Sequence, residues 1–409
     1  MLNLIWLFFF FSAFAAGAYQ WLFFNNPEVF SKIIEATFSM ASLSVEIMLG
    51  LIGILCFWLG LFRIAEESGV IKVLARVMSP LLGRLMPEVP ANHPAFGSIT
   101  TNLAANMLGL DNAATPMGLK AMKDLQEINT SSVNASNAQI LFLVLNTSAV
   151  TILPITIFMY RAQQGAADPG SVFIPILLAT SVSTFVGLFI VSVIQKIKLL
   201  DRVILFYFSL FLSVIAILIS YLYFLPADKL AESSAHLGNF LLFTLIILFL
   251  FAGWRKRINV YESFIEGAKE GFDVAIKIIP YLVAMLVGIG VFRASGILEG
   301  LLYIFESCVS WLGFDVSFVP ALPTAILRPF SGSGSRAMMI ETMNTYGVDS
   351  FPALIAATIQ GSTETTFYVL ALYFGSVGIK NARHAIGCGL AADFAGITAA
   401  ILLGYWFFI

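Results

Sequence analysis

Long apolar runs constrain this chain more than any other feature of its sequence. Of its 409 residues, 59% are hydrophobic and only 11% are charged, against about 25% charged in ordinary soluble domains. A helix needs about 20 apolar residues to cross a hydrocarbon core of about 30 Å. Runs of that length lie at 4–24, 42–62, 138–160, 172–195, 201–224, 237–254, 273–292 and 385–408, with a more polar one at 353–374. The sequence therefore predicts an all-α, polytopic integral membrane protein with about nine transmembrane helices.

Charge and cysteine usage exclude several classes of protein. The net charge is -2, and basic residues cluster only at the ends of the apolar runs, so a nucleic acid partner is not expected and membrane lipids are. Cys56, Cys308 and Cys388 are far apart, which indicates neither a disulfide framework nor a metal-binding pair. The histidines have no second ligand at helical spacing, so no metal site or cofactor is predicted. The N-terminal run lacks a basic leader and is long enough to span, which predicts a retained helix.

Two stretches interrupt the apolar pattern at membrane depth. The first is NMLGLDNAATPMGLKAM at 106–122, and the second is ILRPFSGSGSRAMMIETM at 326–343. Irregular backbone is tolerated at that depth only where it is buried in protein or lines a wet cavity. We therefore predict two broken or re-entrant elements, with a hairpin over residues 95–123.

The second half of the chain repeats the first. GLFRIAEESGVIKVL at 60–74 matches GVFRASGILEGLL at 290–302. Each match follows a membrane span and precedes a break, a helix with scattered polar residues and a final helix, so the order of elements is kept. This predicts an N-terminal helix and connection at 1–41, a first repeat at 42–200, two linking helices at 201–258 and a second repeat at 259–409.

The basic residues between the runs predict the orientation of the repeats. Clusters at 196–202 and 255–257 are expected to be cytoplasmic, and the loop at 226–236 external. Counting spans then places the N-terminus in the cytoplasm and makes 42–62 run inward and 273–292 outward, so that the two repeats are inverted. Inverted repeats with interrupted helices are typical of secondary transporters, whose sites lie near the midplane.

Polar residues around the first break form one set of candidate solute ligands. A cluster of amides, a carboxylate and a hydroxyl could bind a polar solute or a cation, and it comprises Asn102, Asn106, Asp111, Asn112 and Thr115. The alternative is that these residues cap the broken helices. Span 138–160 adds Asn146, with Thr147 and Thr151 beyond it, either as ligands or as hydrogen bonds between helices.

The second break supplies a different chemistry. Ser331, Ser333 and Ser335 precede a helix and are bracketed by Arg328 and Arg336. Free amides at a helix N-terminus could hold an anion here, and the alternative is a flexible hairpin tip with Arg336 at the interface. No neighbour supplies a base for a serine nucleophile, so we do not expect an enzyme.

Two acidic residues lie inside apolar runs. Glu364 is in the middle of a span with Gln360 and Thr363 nearby, and Asp393 is in the last helix. A carboxylate at the bilayer centre costs at least about 2.5 kcal/mol on insertion scales, and such acids usually face a cavity or a partner. We expect Glu364, Gln360 and Thr363 to bind solute, and Glu364 or Asp393 to bind a coupling ion. The alternative for Glu364 is an ion pair with Arg328 or Arg336.

The two break motifs, together with QGSTETTFYVLALYFGSVG at 360–378, resemble the spore maturation proteins A and B joined into one chain. These belong to the nucleoside recognition, or Gate, domain group, which is similar to the membrane portions of concentrative nucleoside transporters and of ferrous iron transporter B. The resemblance covers roughly 40–195 and 260–409. It implies a transport-like fold in a bacterial inner membrane and a nucleoside-like solute. The motif positions include Asn106, Asn112, Thr115, Ser331, Ser333, Arg336, Gln360 and Glu364.

Two functions remain open from the sequence. The first is a transporter that moves a small polar or anionic solute by alternating access, coupled to protons or sodium. The second is a non-transporting receptor or scaffold of the cell envelope that acts with cell-wall or lipid enzymes. Either function is compatible with a homo-oligomer.

Overall fold

The computed structural model describes residues 2–90, 93–108 and 111–409, with side chains except at residues 2, 3, 111–113 and 227. Seventeen α-helices account for most of this part of the chain. They are α1 (Leu2–Phe24), α2 (Glu28–Ser68), α3 (Val70–Leu85), α4 (Pro94–Met107), α5 (Asp111–Glu127), α6 (Asn137–Thr147), α7 (Ile155–Gln163), α8 (Phe173–Gln195), α9 (Arg202–Tyr223), α10 (Leu230–Lys256), α11 (Val260–Ala294), α12 (Ile297–Trp311), α13 (Leu322–Leu327), α14 (Gly332–Tyr346), α15 (Phe351–Ser362), α16 (Thr366–Ser376) and α17 (Ala385–Phe408).

Seven of these helices are long and apolar enough to cross a membrane: α1, α2, α8, α9, α10, α11 and α17. Their outer faces expose many large apolar side chains, including Phe189, Phe206 and Ile217, as expected where lipid replaces water as the solvent. The prediction of an all-α polytopic membrane protein is confirmed.

Two of the predicted spans are not continuous helices. Span 138–160 is divided into α6 and α7 by a first interruption at 148–154, and span 353–374 into α15 and α16 by a second at 363–365. Pro154 precedes α7 and has no N–H for a preceding helical turn, and Thr363 adopts an extended backbone, with φ -148° and ψ 173°. Continuous helices were wrong here because hydropathy reports only apolar length.

The helices fall into two sets with the same order of elements. Helices α2 to α8 form repeat 1 and α11 to α17 form repeat 2. In each repeat a long helix is followed by an amphipathic helix (α3 or α12), a helical hairpin (α4–α5 or α13–α14), an interrupted helix (α6–α7 or α15–α16) and a final span. Helix α3 is amphipathic, because Ile71, Ala75, Leu82 and Leu85 are buried whereas its basic residues are exposed.

The first helices of the two repeats pack antiparallel along much of their length. Gly290 of α11 lies against Met40 near the start of α2, whereas Gly271 lies against Cys56, so that a Cβ on Gly271 would be 2.7 Å from the Cys56 Cα. Small residues allow helix backbones to approach this closely. The final spans are also antiparallel, because Gly187 of α8 faces Ala392 and Ser183 faces Gly396. The two repeats therefore run in opposite directions.

Two loop contacts at opposite ends of the molecule clasp the repeats together. Arg161, at the end of α7, is fully buried and donates to Asp349 Oδ1 (2.8 Å) and to the Val348 carbonyl (3.1 Å) in the loop before α15. Arg383, after α16, donates to the Ala135 carbonyl (3.0 Å) in the loop before α6. Each interrupted helix thus holds the loop of the opposite repeat.

Candidate functional site

The two interrupted helices meet where each loses its helical hydrogen bonds. The Glu364 N–H in the second interruption donates to the Thr147 carbonyl at the end of α6 (2.8 Å). Each interruption also bonds the hairpin of its own repeat, since the Ile152 N–H donates to the Met107 carbonyl and the Phe367 N–H to the Pro329 carbonyl, both at 3.0 Å. Main-chain groups freed by the interruptions therefore hold four irregular segments together.

An amide cluster occupies the repeat 1 side of this junction. Asn106 Nδ2 donates to Asn146 Oδ1 (2.8 Å), which joins hairpin α4–α5 to α6. Asn102 Nδ2 donates to the Ala114 carbonyl across the hairpin (2.8 Å). Of these three predicted ligands, Asn106 and Asn146 bond each other, whereas Asn102 bonds the main chain of its own hairpin. Asn102 Oδ1 is buried and has no hydrogen-bond partner in the described part of the chain.

Tyr373 of α16 completes the amide cluster and was missed by the sequence analysis. Its hydroxyl lies 3.3 Å from Asn102 Nδ2 and 3.4 Å from Asn146 Oδ1. The ring enters a space that only glycine leaves open, because a Cβ on Gly118 would lie 2.1 Å from the Tyr373 hydroxyl. The available signal was a tyrosine inside an apolar span, whose hydroxyl needs a partner when buried.

A charged cluster occupies the repeat 2 side. Arg328, at the tip of hairpin α13–α14, is buried, donates to the Thr363 carbonyl and lies 3.7 Å from Glu364 Oε2. The Glu364 side chain is 48% exposed, so the pair has one buried and one accessible member. The sequence offered Arg328 or Arg336 as an ion-pair partner for Glu364, and the structure pairs Glu364 with Arg328.

Asp393 of α17 faces the second interruption. It is 1% exposed, and the Thr366 and Thr363 hydroxyls lie beside its carboxylate. Gly389 and Gly396, on the same face of α17, make room for these two threonines. The hydroxyls and the carboxylate are not aligned for good hydrogen bonds with one another, and their oxygens have no other partner among the described residues. The predicted coupling-ion residue Asp393 and the predicted ligand Thr363 thus share a buried site.

The serines of the second break have mainly local partners. Ser331 Oγ caps α14 by accepting from the Gly334 N–H (2.9 Å), and it lies 3.3 Å from Ser333 Oγ. Ser335 is buried and donates to Gln360 Oε1 (2.6 Å) and to the Thr324 carbonyl (2.8 Å). Because Ser331 already satisfies one N-terminal amide of α14, anion binding by these serines stays a prediction.

Arg336, near the start of α14, lines a cavity. Its guanidinium lies over the Tyr160 ring, 5.3 Å from the centroid. The cavity has a volume of about 420 Å³ and lies between α2, α5, α7 and α11. Its lining combines apolar side chains with Arg336, Arg63, Glu66, Glu270, Trp58 and Tyr160.

The remaining predicted ligands are less defined. Thr115 is half-buried on α5. The side chains of Asp111 and Asn112 lie outside the described residues. Among the described residues, no group of three or more His, Cys, Asp or Glu side chains could hold a metal ion.

Sequence comparisons agree with this architecture. The nucleoside recognition (Gate) family model matches residues 48–164 and 275–380, one segment in each repeat. Spore maturation protein B of Bacillus subtilis (strain 168) is 45% identical over 154 residues, 38% of this chain and 85% of that protein. Spore maturation protein A of the same organism is 42% identical over 149 residues, 36% of this chain and 76% of that protein. No solved structure matches significantly. With two Gate segments and similarity to both proteins, the chain has the composition of their fusion, and it belongs to the nucleoside recognition, or Gate, family.

Proposed function

We propose that this protein is a secondary transporter that moves a small polar or anionic solute across the bacterial inner membrane by alternating access. The observation that carries the proposal is the junction, where two interrupted helices of antiparallel repeats are joined by the bond from the Glu364 N–H to the Thr147 carbonyl. Interrupted helices at the interface of inverted repeats are where secondary transporters bind solutes and ions. A structural role alone would not require both repeats to be interrupted where they meet.

The cavity beside Arg336 is the proposed solute site. Its volume of about 420 Å³ falls within the range of small-molecule sites, roughly 300–1,000 Å³. It is lined by aromatic rings at Trp58, Phe62 and Tyr160, by guanidinium groups at Arg63 and Arg336, and by carboxylates at Glu66 and Glu270. Such a lining suits a planar ring that carries polar groups, because aromatic faces stack on rings and guanidinium groups pair with oxygen acceptors. A nucleoside-like solute has this chemistry.

The arrangement of basic residues supports a cytoplasmic N-terminus. Ile64, near the end of α2, packs against Gly253 beside the Arg255 cluster, and Tyr207 of α9 donates to the Val77 carbonyl of α3. The basic ends thus share one side, which positive-inside orientation makes cytoplasmic. Helix α1 runs parallel to α11, since Trp6 bonds Ala284 and Gln20 bonds Ser295. Both helices then start on the cytoplasmic side.

Binding is tested by thermal unfolding of the purified protein against nucleosides, dicarboxylates, amino acids and lipid-linked sugars. A ligand that binds only the folded state raises the unfolding temperature, and the rise grows with the logarithm of the ligand concentration above the dissociation constant. We expect one class to stabilise the protein, and Arg336→Gln to remove that shift. Arg84→Gln is the matched control, because Arg84 is an exposed arginine on α3 outside the cavity.

Transport is tested by solute uptake into proteoliposomes. We expect uptake of the stabilising solute, and its loss in Glu364→Gln with folding retained. If no class binds and a stoichiometric protein partner co-purifies instead, the transporter proposal fails and the alternative of an envelope receptor or scaffold is favoured. Unchanged uptake in Glu364→Gln would remove that residue from the mechanism.

A further inference from the structure

We propose that Asp393, Thr363 and Thr366 form a sodium site between α17 and the second interruption. Asp393, Thr363 and Thr366 are 1%, 3% and 0% exposed respectively, and the two hydroxyls lie beside the carboxylate without a well-aligned hydrogen bond to it or to any other described residue. Burying a polar group without a hydrogen-bond partner is unfavourable, and burying a charged one is more so. Three such groups together therefore indicate a missing ligand.

The chemistry of the three groups selects a small hard cation. A carboxylate and two hydroxyls offer only oxygen ligands, which hard cations prefer. The Ser362 carbonyl, near the end of α15, also faces this helix, since it would lie 3.2 Å from a Cβ on Gly396. Carbonyls at the ends of half-helices are recurrent sodium ligands in transporters. A proton is the competing occupant, because a neutral Asp393 carboxyl and the two hydroxyls could exchange hydrogen bonds with one another.

The positive charge nearest to the site does not replace a bound cation. Arg328 is close enough to act electrostatically on Asp393, and it is the basic group facing the carboxylate from the neighbouring hairpin. Its guanidinium nevertheless donates to the Thr363 carbonyl and pairs with Glu364. Among the described residues, Arg328 forms its ion pair with Glu364 and none with Asp393.

The equivalent position in repeat 1 shows what the site looks like without a cation. Ser183-Thr184-Phe185-Val186-Gly187 of α8 aligns with Ala392-Asp393-Phe394-Ala395-Gly396 of α17. Gly187 faces Ser148 in the first interruption as Gly396 faces Thr363 in the second. Thr184, the counterpart of Asp393, donates directly to the Ser148 carbonyl. Repeat 1 thus closes this contact with a neutral hydrogen bond, whereas repeat 2 presents an acid.

Sodium binding is measured without any solute, by thermal unfolding of the purified protein at pH 8 as NaCl replaces choline chloride at constant ionic strength. We expect a rise in unfolding temperature that grows with the logarithm of the sodium concentration and that KCl does not reproduce. Asp393→Asn should abolish the rise. Thr366→Val, which keeps the charge and the shape, should weaken sodium binding by about tenfold or more, as for one lost bond to a charged group. Thr184→Val should retain the full sodium response.

The proposal is overturned if sodium has no specific effect, or if Asp393→Asn and Thr366→Val respond like the unmodified protein. Stabilisation that follows pH and is indifferent to sodium overturns it as well, in favour of a proton. Only the coupling role of the ion rests on the proposed transport function. Sodium binding without any solute uptake would therefore keep the site and reject the transporter, and uptake independent of sodium would do the reverse.

Discussion

The two repeats share their main-chain bonds and differ in the side chains placed beside them. In both, the tip of the hairpin accepts a backbone hydrogen bond from the interrupted helix of the same repeat. Next to that bond, repeat 1 has the neutral pair Asn106 and Asn146, whereas repeat 2 has the charged pair Arg328 and Glu364. The backbone geometry thus does not require charge, and the charges of repeat 2 are available for function.

The two arginine contacts that clasp the repeats together also differ, but here the buried charge belongs to repeat 1. Arg161 is fully buried and reaches Asp349 together with the Val348, Asp168 and Pro169 carbonyls. Arg383 is exposed and donates to a single carbonyl of Ala135. Repeat 1 therefore supplies the stronger structural anchor, and repeat 2 supplies the ionisable groups at the junction.

The largest expected effect tests the difference in strength between the Arg161 and Arg383 clasps. Arg161→Met leaves several buried carbonyls without a donor and Asp349 without its partner, so we expect a loss of roughly 3 kcal/mol in the free energy of unfolding. Arg383→Met should lose at most about 1 kcal/mol. Denaturant unfolding of the two purified variants measures the difference. Equal losses would mean that burial does not distinguish the clasps.

The next effect concerns the hairpin tips. Arg328→Ala removes the donor to the Thr363 carbonyl and the counter-charge of Glu364, so we expect a loss of roughly 2 kcal/mol in stability. Asn106→Ala removes one neutral interhelical hydrogen bond and should lose about 0.6 kcal/mol. The same unfolding measurement applies, with solute uptake as a second readout. A larger loss in Asn106→Ala would contradict the assignment of the charged cluster to repeat 2.

A smaller effect tests the contact of Tyr373 with hairpin α4–α5. Gly118→Ala forces Tyr373 to move, and overpacking of this kind costs about 1–3 kcal/mol. Gly97→Ala on α4 is the matched control, because a Cβ there meets no atom within 4 Å and helix propensity favours alanine by about 1 kcal/mol. Opposite shifts in unfolding temperature are expected. A neutral Gly118→Ala would show that the ring is not held there.

The smallest effect is a pH dependence at the start of α17. Burial, and then the charge of Arg383, lower the pKa of His384 below its ordinary value of 6.5. Gln195 Nε2, an amide donor, lies 3.1 Å from His384 Nε2, which must be unprotonated to accept. A depressed pKa means that the neutral form favours folding, so this contribution is present above pH 6.5 and is lost as the pH falls below it. The unfolding temperature of the unmodified protein should fall more between pH 7.5 and 5.5 than that of His384→Gln.

Much of the fold could be predicted because it depends on apolar length and order. The spans, the amphipathic α3 and the hairpin near 95–123 follow from periodicity and from Gly, Pro and amide residues that a lipid-facing helix would not tolerate. The interruptions at 148–154 and 363–365 could not be placed, because their cause is the competition of freed main-chain groups for partners on other helices. Hydropathy carries no information about those partners.

The candidate site was predicted by residue type but not by partner. Asn102, Asn106 and Asn146 were identified as polar residues inside a span, but Tyr373, which joins two of them from the other repeat, is more than two hundred residues away in sequence. Asp393 was identified from its charge, whereas its association with Thr363 and Thr366 depends on the close approach allowed by Gly389 and Gly396. Arg161 gave no signal because its partners, Asp349 and several main-chain carbonyls, come mostly from loops that only the fold brings to it.

The two linking helices have a consequence for how this chain is inserted. In the proposed topology each repeat crosses the membrane an odd number of times, through its long helix, its interrupted helix and its final span, so it begins and ends on opposite sides. Helices α9 and α10 add two crossings in this topology. Because that number is even, repeat 2 begins on the side where repeat 1 ends and crosses in the opposite direction. Loss of either linking helix would bring repeat 2 in with the direction of repeat 1, and the antiparallel seam between α2 and α11 could not form. The parity of the linker therefore determines whether the two halves can assemble.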